Sequence, residues 1–195
     1  MLAELLFQTI KDSEILHYLG WEARLVSAER NALTLSIETM RGKWWFRIDI
    51  DPQKDKPFRY FFSHISQPIE AQTKEEVAAW LLADFTTFYA LLLLQRVLEL
   101  MLGRKPFVVP INTYIKDNQF YLVANEIAIV TNYIIKRPQY NETGIITVQL
   151  PKRLNPDGLY AALAYNKEGE KLIELKDNYP TVVHTLERML ALSAL

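Results

Sequence analysis

Between residues 155 and 177 the chain reads NPDGLYAALAYNKEGEKLIELKD, which sets two carboxylates and a lysine at spacings that permit metal-assisted hydrolysis. If residues 158–165 and 171–176 pair as a hairpin, Asp157 lies at the mouth of the first strand. Glu174 and Lys176 then lie toward the free end of the second. Oxygen ligands brought together in this way suit Mg²⁺. Lys176 shares a strand face with Glu174 and could orient or deprotonate a water, while the metal stabilises charge developing on a phosphodiester. The ordinary account of the same residues is a solvated hairpin whose turn and ends carry charge.

A second constellation is RGKWWFRIDI at residues 41–50, followed by KPFRYFF at 56–62. Strand alternation puts Trp44, Phe46, Ile48 and Ile50 on one face and Lys43, Trp45, Arg47 and Asp49 on the other. On the next strand Arg59 and Phe61 share a face. A sheet face bearing Lys43, Trp45, Arg47, Arg59 and Phe61 fits a protein partner, because tryptophan and arginine are frequent interface anchors. It also has the parts to stack bases and hold phosphates. Without a partner, the cations would lie over the aromatic rings on a solvated face.

The Asp157, Glu174 and Lys176 arrangement, with Pro156 before the aspartate, resembles the site of the PD-(D/E)xK nucleases. The resemblance covers residues 144 to 192, with GIITVQL in the place of the family's first core strand and the last helix in that of the helix after its third. It implies a Mg²⁺-dependent nuclease, or a degenerate relative that binds nucleic acid without cutting, with Asp157 and Glu174 as metal ligands and all three residues catalytic. Two features depart from the family: no strand pattern follows the last helix, and the preceding helix, which carries Glu99, is set apart by further strand pattern.

Other chemistry is thin. His17, His64 and His184 fall on different elements, and with no cysteine a zinc site is not expected. Asp49, Asp51 and Asp55 surround a DPQKD turn that lacks the glycine and distal glutamate of a calcium loop, so turn chemistry is the better account. There is neither a glycine-rich phosphate loop nor a Gly-x-Ser-x-Gly elbow.

The elements that position these residues follow from periodicity. Residues 2–19 read as an amphipathic helix with Leu2, Leu5, Leu6, Thr9 and Ile10 on its apolar face, a possible break at Asp12–Ser13, and Gly20 as its stop. Four strands follow, ARLVSAE, ALTLSIET, KWWFRIDI and FRYFFSHI, with short links that imply an antiparallel meander. TKEE at 73–76 is a capping box opening a helix to about Leu102, with Gly103 after its end. That helix is apolar enough to suggest a membrane span, but Asp84, Gln95, Arg96 and Glu99 interrupt it, so it is expected to be a buried core helix. A polar stripe through Asp84, Thr87, Gln95 and Glu99 is expected on it, and Leu92 in its apolar sector. FVVPINTYI, QFYLVANEIAIVTN, GIITVQL, GLYAALAY and KLIELK are further strands, and Pro180 opens a last helix to about Leu192.

Strands in blocks rather than in alternation with helices define an α+β protein: two antiparallel strand blocks packed around a long apolar central helix, with N- and C-terminal helices. The 195 residues suit a single domain over 1–195, with possible two-layer halves at about 1–103 and 104–195. The net charge of -1 argues against a surface largely wrapped in nucleic acid. MLAELLFQTIKD has no secretory character, and a cysteine-free chain fits the cytoplasm. No complete catalytic set is visible. The reading is therefore a soluble, non-catalytic binding protein (an accessory, adaptor or chaperone-like module) with no cofactor and a protein partner, self-association being compatible with it. The metal-dependent nuclease, with nucleic acid as partner and Mg²⁺ as cofactor, is the alternative.

Overall fold

The computed structural model describes residues 1–61, 68–103, 112–116, 119–123, 127–132, 159–166 and 171–193. The protein is α+β. It divides into two compact units. Met1–Leu82 forms the described part of the first, and Ala83–Arg137 with Asn155–Leu195 forms the second.

The first unit opens with helices α1 (Leu2–Lys11) and α2 (Glu14–Leu19). The break falls where the sequence suggests it: Asp12 is the C-cap of α1 and Ser13 the N-cap of α2, although the Ser13 side chain makes no capping bond. The apolar face of α1 differs from expectation. Ala3, Leu6, Phe7 and Ile10 are buried, whereas Leu5 is exposed. Positions 3, 6, 7 and 10 follow the i, i+3, i+4, i+7 stripe more closely than 2, 5, 6, 9 and 10. Gly20 ends α2 at φ 68°, a left-handed conformation in which a Cβ would be strained.

Strands β1 (Glu22–Ala28), β2 (Ala32–Thr39), β3 (Gly42–Ile50), β4 (Phe58–Tyr60) and β5 (Ile69–Ala71) form an antiparallel sheet in that order. Its inner face buries Leu33, Leu35, Ile37, Ile48 and Ile50, and Phe58 and Tyr60 continue it on β4. Each such side chain contributes about 1.5–3 kcal/mol relative to exposure. A register shift between Leu25 and Ser27 bulges the edge strand β1, where Leu25 and Val26 are exposed. Strand β4 ends at Tyr60, and residues 62–65 of the expected FRYFFSHI strand lie outside the described residues. The three-residue β5 is too short to show alternation, so periodicity gives no sign of it.

Helix α3 (Lys74–Leu102) has the expected limits. The Thr73 hydroxyl accepts from the Glu76 backbone N–H at 3.1 Å, and the Glu76 carboxylate accepts from the N–H of Gln72 at 2.9 Å, one residue short of the reciprocal partner in an ideal capping box. Gly103 follows the last turn at φ 66°. By length and composition α3 could cross a membrane, but 88% of its most apolar stretch is buried in the fold. The expected polar stripe is modified: Asp84 is buried, Thr86 is buried beside it, and Glu99 pairs with Arg96 at 3.4 Å. Leu93 is buried, while Leu92 is only half-buried.

In the second unit, β6 (Asn112–Lys116), β7 (Gln119–Val123), β8 (Ile127–Asn132), β9 (Leu159–Asn166) and β10 (Lys171–Asn178) form a second five-stranded antiparallel sheet in the order β10-β9-β8-β7-β6. The run QFYLVANEIAIVTN is two paired strands, not one. GIITVQL lies outside the described residues. Helix α4 (Tyr179–Ser193) buries Val182, Val183, Leu186 and Leu190. The Tyr89 hydroxyl donates to the carboxylate of Glu187, joining α3 to α4, and the Tyr89 ring lies 5.9 Å from that of Phe85.

Candidate partner-binding face

Alternation along β3 holds as expected. Ile48 and Ile50 are buried and Trp44 and Phe46 half-buried, while Lys43, Trp45 and Arg47 are exposed on the other face. Cross-strand pairing builds that outer face from named rows. Glu22, Glu38 and Lys43 lie opposite one another across β1, β2 and β3, as do Arg24, Ser36 and Trp45. Asp49, Arg59 and Glu70 form a row across β3, β4 and β5.

Four cations on this face behave in two ways. Arg24 donates to Glu22 at 3.0 Å and approaches Glu38 at 3.6 Å, and Arg47 Nε donates to Asp49 Oδ1 at 2.9 Å. The Arg24 guanidinium, by hydrogen bond and then by charge, holds the Glu22 carboxyl below the usual carboxylate range, and Glu22 in turn raises the pKa of Arg24. Lys43 and Arg59 have no ion-pair partner among the described residues. Instead, Lys43 Nζ lies 5.7 Å from the centroid of the Trp45 ring, and the Arg59 guanidinium lies 4.9 Å from that of Phe61. Arg59 Nε is buried without a hydrogen bond among the described residues. Trp45 and Phe61 are 64% and 58% exposed, so both rings face water despite their cations.

On its β3 side strand β4 pairs only with Asp49 and Ile50, and beside this short contact a cleft of about 180 Å³ opens. Its lining includes Trp45, Phe61, Arg47 and Asp49 from the outer face and Phe46, Tyr60 and Leu81 from the interior. The sequence shows the aromatic and basic residues of this face. It gives no sign of Leu81, which comes from α3, nor of which arginines are already neutralised.

Of the other candidate site, Glu174 and Lys176 fall among the described residues, both on β10. The β9–β10 hairpin forms with the expected antiparallel pairing, but β10 continues to Asn178. Glu174 is exposed opposite Leu163, four residues or about 13 Å from the strand's end, and Lys176 lies opposite Ala161. Pro156 and Asp157 lie outside the described residues, as does His64. His17 and His184 are exposed on α2 and α4. Asp51 accepts from the Gln53 N–H at 3.2 Å and its own N–H donates to the Pro57 carbonyl at 2.8 Å, which is turn chemistry. Among the described residues no group of three or more His, Asp or Glu side chains is placed to hold a metal ion.

Comparison with protein-family models, with curated proteins and with solved structures found no match.

Proposed function

We propose that this chain is a non-catalytic binding protein, an accessory, adaptor or chaperone-like module, which engages a protein partner through the outer face of β3 and β4. The observation that carries this reading is the pair of exposed aromatic rings, Trp45 and Phe61, flanking a cleft and each capped by a cation. Large aromatic surface left in water is recovered when a partner covers it, and tryptophan and arginine are the residues that most often anchor such contacts. Charge also favours a protein. This face carries Arg24, Lys43, Arg47 and Arg59 together with Glu22, Glu38, Asp49 and Glu70: Lys43 lies opposite Glu38, Arg59 lies between Asp49 and Glu70, and Arg24 and Arg47 are ion-paired. A polyanion would meet no net positive field there.

The test is a photo-crosslinking amino acid at position 61 of the full chain, activated in living cells. Protein adducts that disappear in Trp45→Ala and Arg47→Ala support the reading. Nuclease-sensitive adducts, or adducts indifferent to both substitutions, overturn it. So does cleavage of DNA or RNA in Mn²⁺ that is abolished by Asp157→Ala and by Lys176→Ala.

A further inference from the structure

We infer that Lys43 and Arg59 are positioning residues: each holds one of the two exposed rings, Trp45 and Phe61, at the rim of the cleft in the orientation that a partner meets. The inference rests on the binding reading above and goes further, because it assigns a task to two residues that need not touch the partner. Trp45 and Phe61 are 64% and 58% exposed, so little packing fixes them. A side chain that is free to turn must be immobilised on binding, and a ring already held in place avoids that cost. Lys43 Nζ, at 5.7 Å from the Trp45 centroid, and the Arg59 guanidinium, at 4.9 Å from that of Phe61, supply the hold.

Three further observations give the hold its direction. The same arrangement occurs twice: a cation stands two residues before its ring, a spacing that extended backbone places on one face. Trp45 and Phe61 line the cleft, whereas Lys43 and Arg59 do not. Each cation therefore steadies its ring without taking up the space beside it. The strand register, finally, balances the cations as charges. Lys43 lies opposite Glu38, and Arg59 lies between Asp49 and Glu70, so the pair offers an incoming segment no net field. What Lys43 and Arg59 contribute to the face is the geometry of its two rings.

The experiment reads the rings and the partner separately, in the full chain. For the ring, 4-fluorophenylalanine placed at position 61 is followed by fluorine NMR in Arg59→Lys and Arg59→Met. Arg59→Met keeps an apolar stem but loses the cation, and should move the resonance toward its position in the denatured chain. Arg59→Lys should stay near the parent signal. For the partner, the photo-crosslinker at position 61 is kept and Lys43 is replaced, because Lys43 is exposed and its substitution leaves the fold intact even if a change at Arg59 does not. Cation–ring contacts at exposed sites are weak, so Lys43→Met should lower the yield of protein adducts about two- to fivefold, and Lys43→Arg should restore it. A higher yield in Lys43→Met would mean that the cation shields the ring from a partner, and overturns the inference. Equal yields in all three chains overturn it too, as does a fluorine signal indifferent to Arg59→Met. Adducts that are lost on Trp45→Ala but unmoved by Lys43→Met sink this inference alone, whereas the absence of any adduct from the unsubstituted chain overturns the binding reading with it.

Discussion

Arg47 and Asp49 stand two residues apart on one strand, and the guanidinium Nε donates to the carboxylate at 2.9 Å. Both side chains are largely exposed, so the pair adds little to stability; exposed pairs are generally worth about 0–1 kcal/mol. Its consequence is electrical, because it removes one cation from the outer face. Asp49→Asn should leave the thermal midpoint nearly unchanged and raise affinity for single-stranded DNA, with a steeper salt dependence. An unchanged salt dependence in a binding titration would show that Arg47 does not reach a bound strand even when released.

The start of α3 depends on Thr73. Its hydroxyl meets the Glu76 N–H, one of the helix's otherwise unpaired donors. Thr73→Ala should cost about 0.5–2 kcal/mol in urea unfolding. Thr73→Ser keeps the oxygen and should cost less; an equal loss in both variants would place the effect elsewhere than in the cap.

Along α3, adjacent leucines occupy different environments. Leu93 is 1% exposed, while Leu92 is half-buried. Leu93→Ala should lower stability by about 2–5 kcal/mol, as expected for a large-to-small change in a packed core. Leu92→Ala should cost clearly less. Equal denaturant midpoints for the two variants would contradict the helical phase.

The Glu22–Arg24 pair makes a prediction about pH. With the carboxyl pKa depressed in the folded state, its contribution is present above the ordinary glutamate value of about 4.3 and is lost as the pH falls through the depressed value. In a carboxyl-carbon NMR titration, Arg24→Gln should move the Glu22 midpoint upward. High salt should narrow the difference, since both side chains are more than half exposed. A midpoint that does not move on Arg24→Gln would mean that the ion pair does not persist in solution.

By itself the sequence determined what depends on neighbours a few residues away. The α+β class, the limits of α3 between Thr73 and Gly103, the alternation along β3 and the β9–β10 hairpin all follow from local periodicity, capping and turn residues. Local pattern was less secure where several phases fit, as on α1, where Ala3 and Phe7 rather than Leu2 and Leu5 complete the buried stripe. Tertiary structure alone decided which charges meet. Arg24 and Arg47 look like Lys43 and Arg59 in the sequence, but Arg24 lies opposite Ser36, within reach of Glu22 and Glu38, and Arg47 turns to Asp49. The pairing of strands likewise set Glu174 well inside β10 rather than near its end. The cleft needed the most distant residues: Leu81 of α3 joins Trp45 of β3 and Phe61 beyond β4. Periodicity can assign a residue to a face, but ion pairs and cavities depend on side chains that approach only when strands and helices pack, and that distance information is not present in any short stretch of the chain.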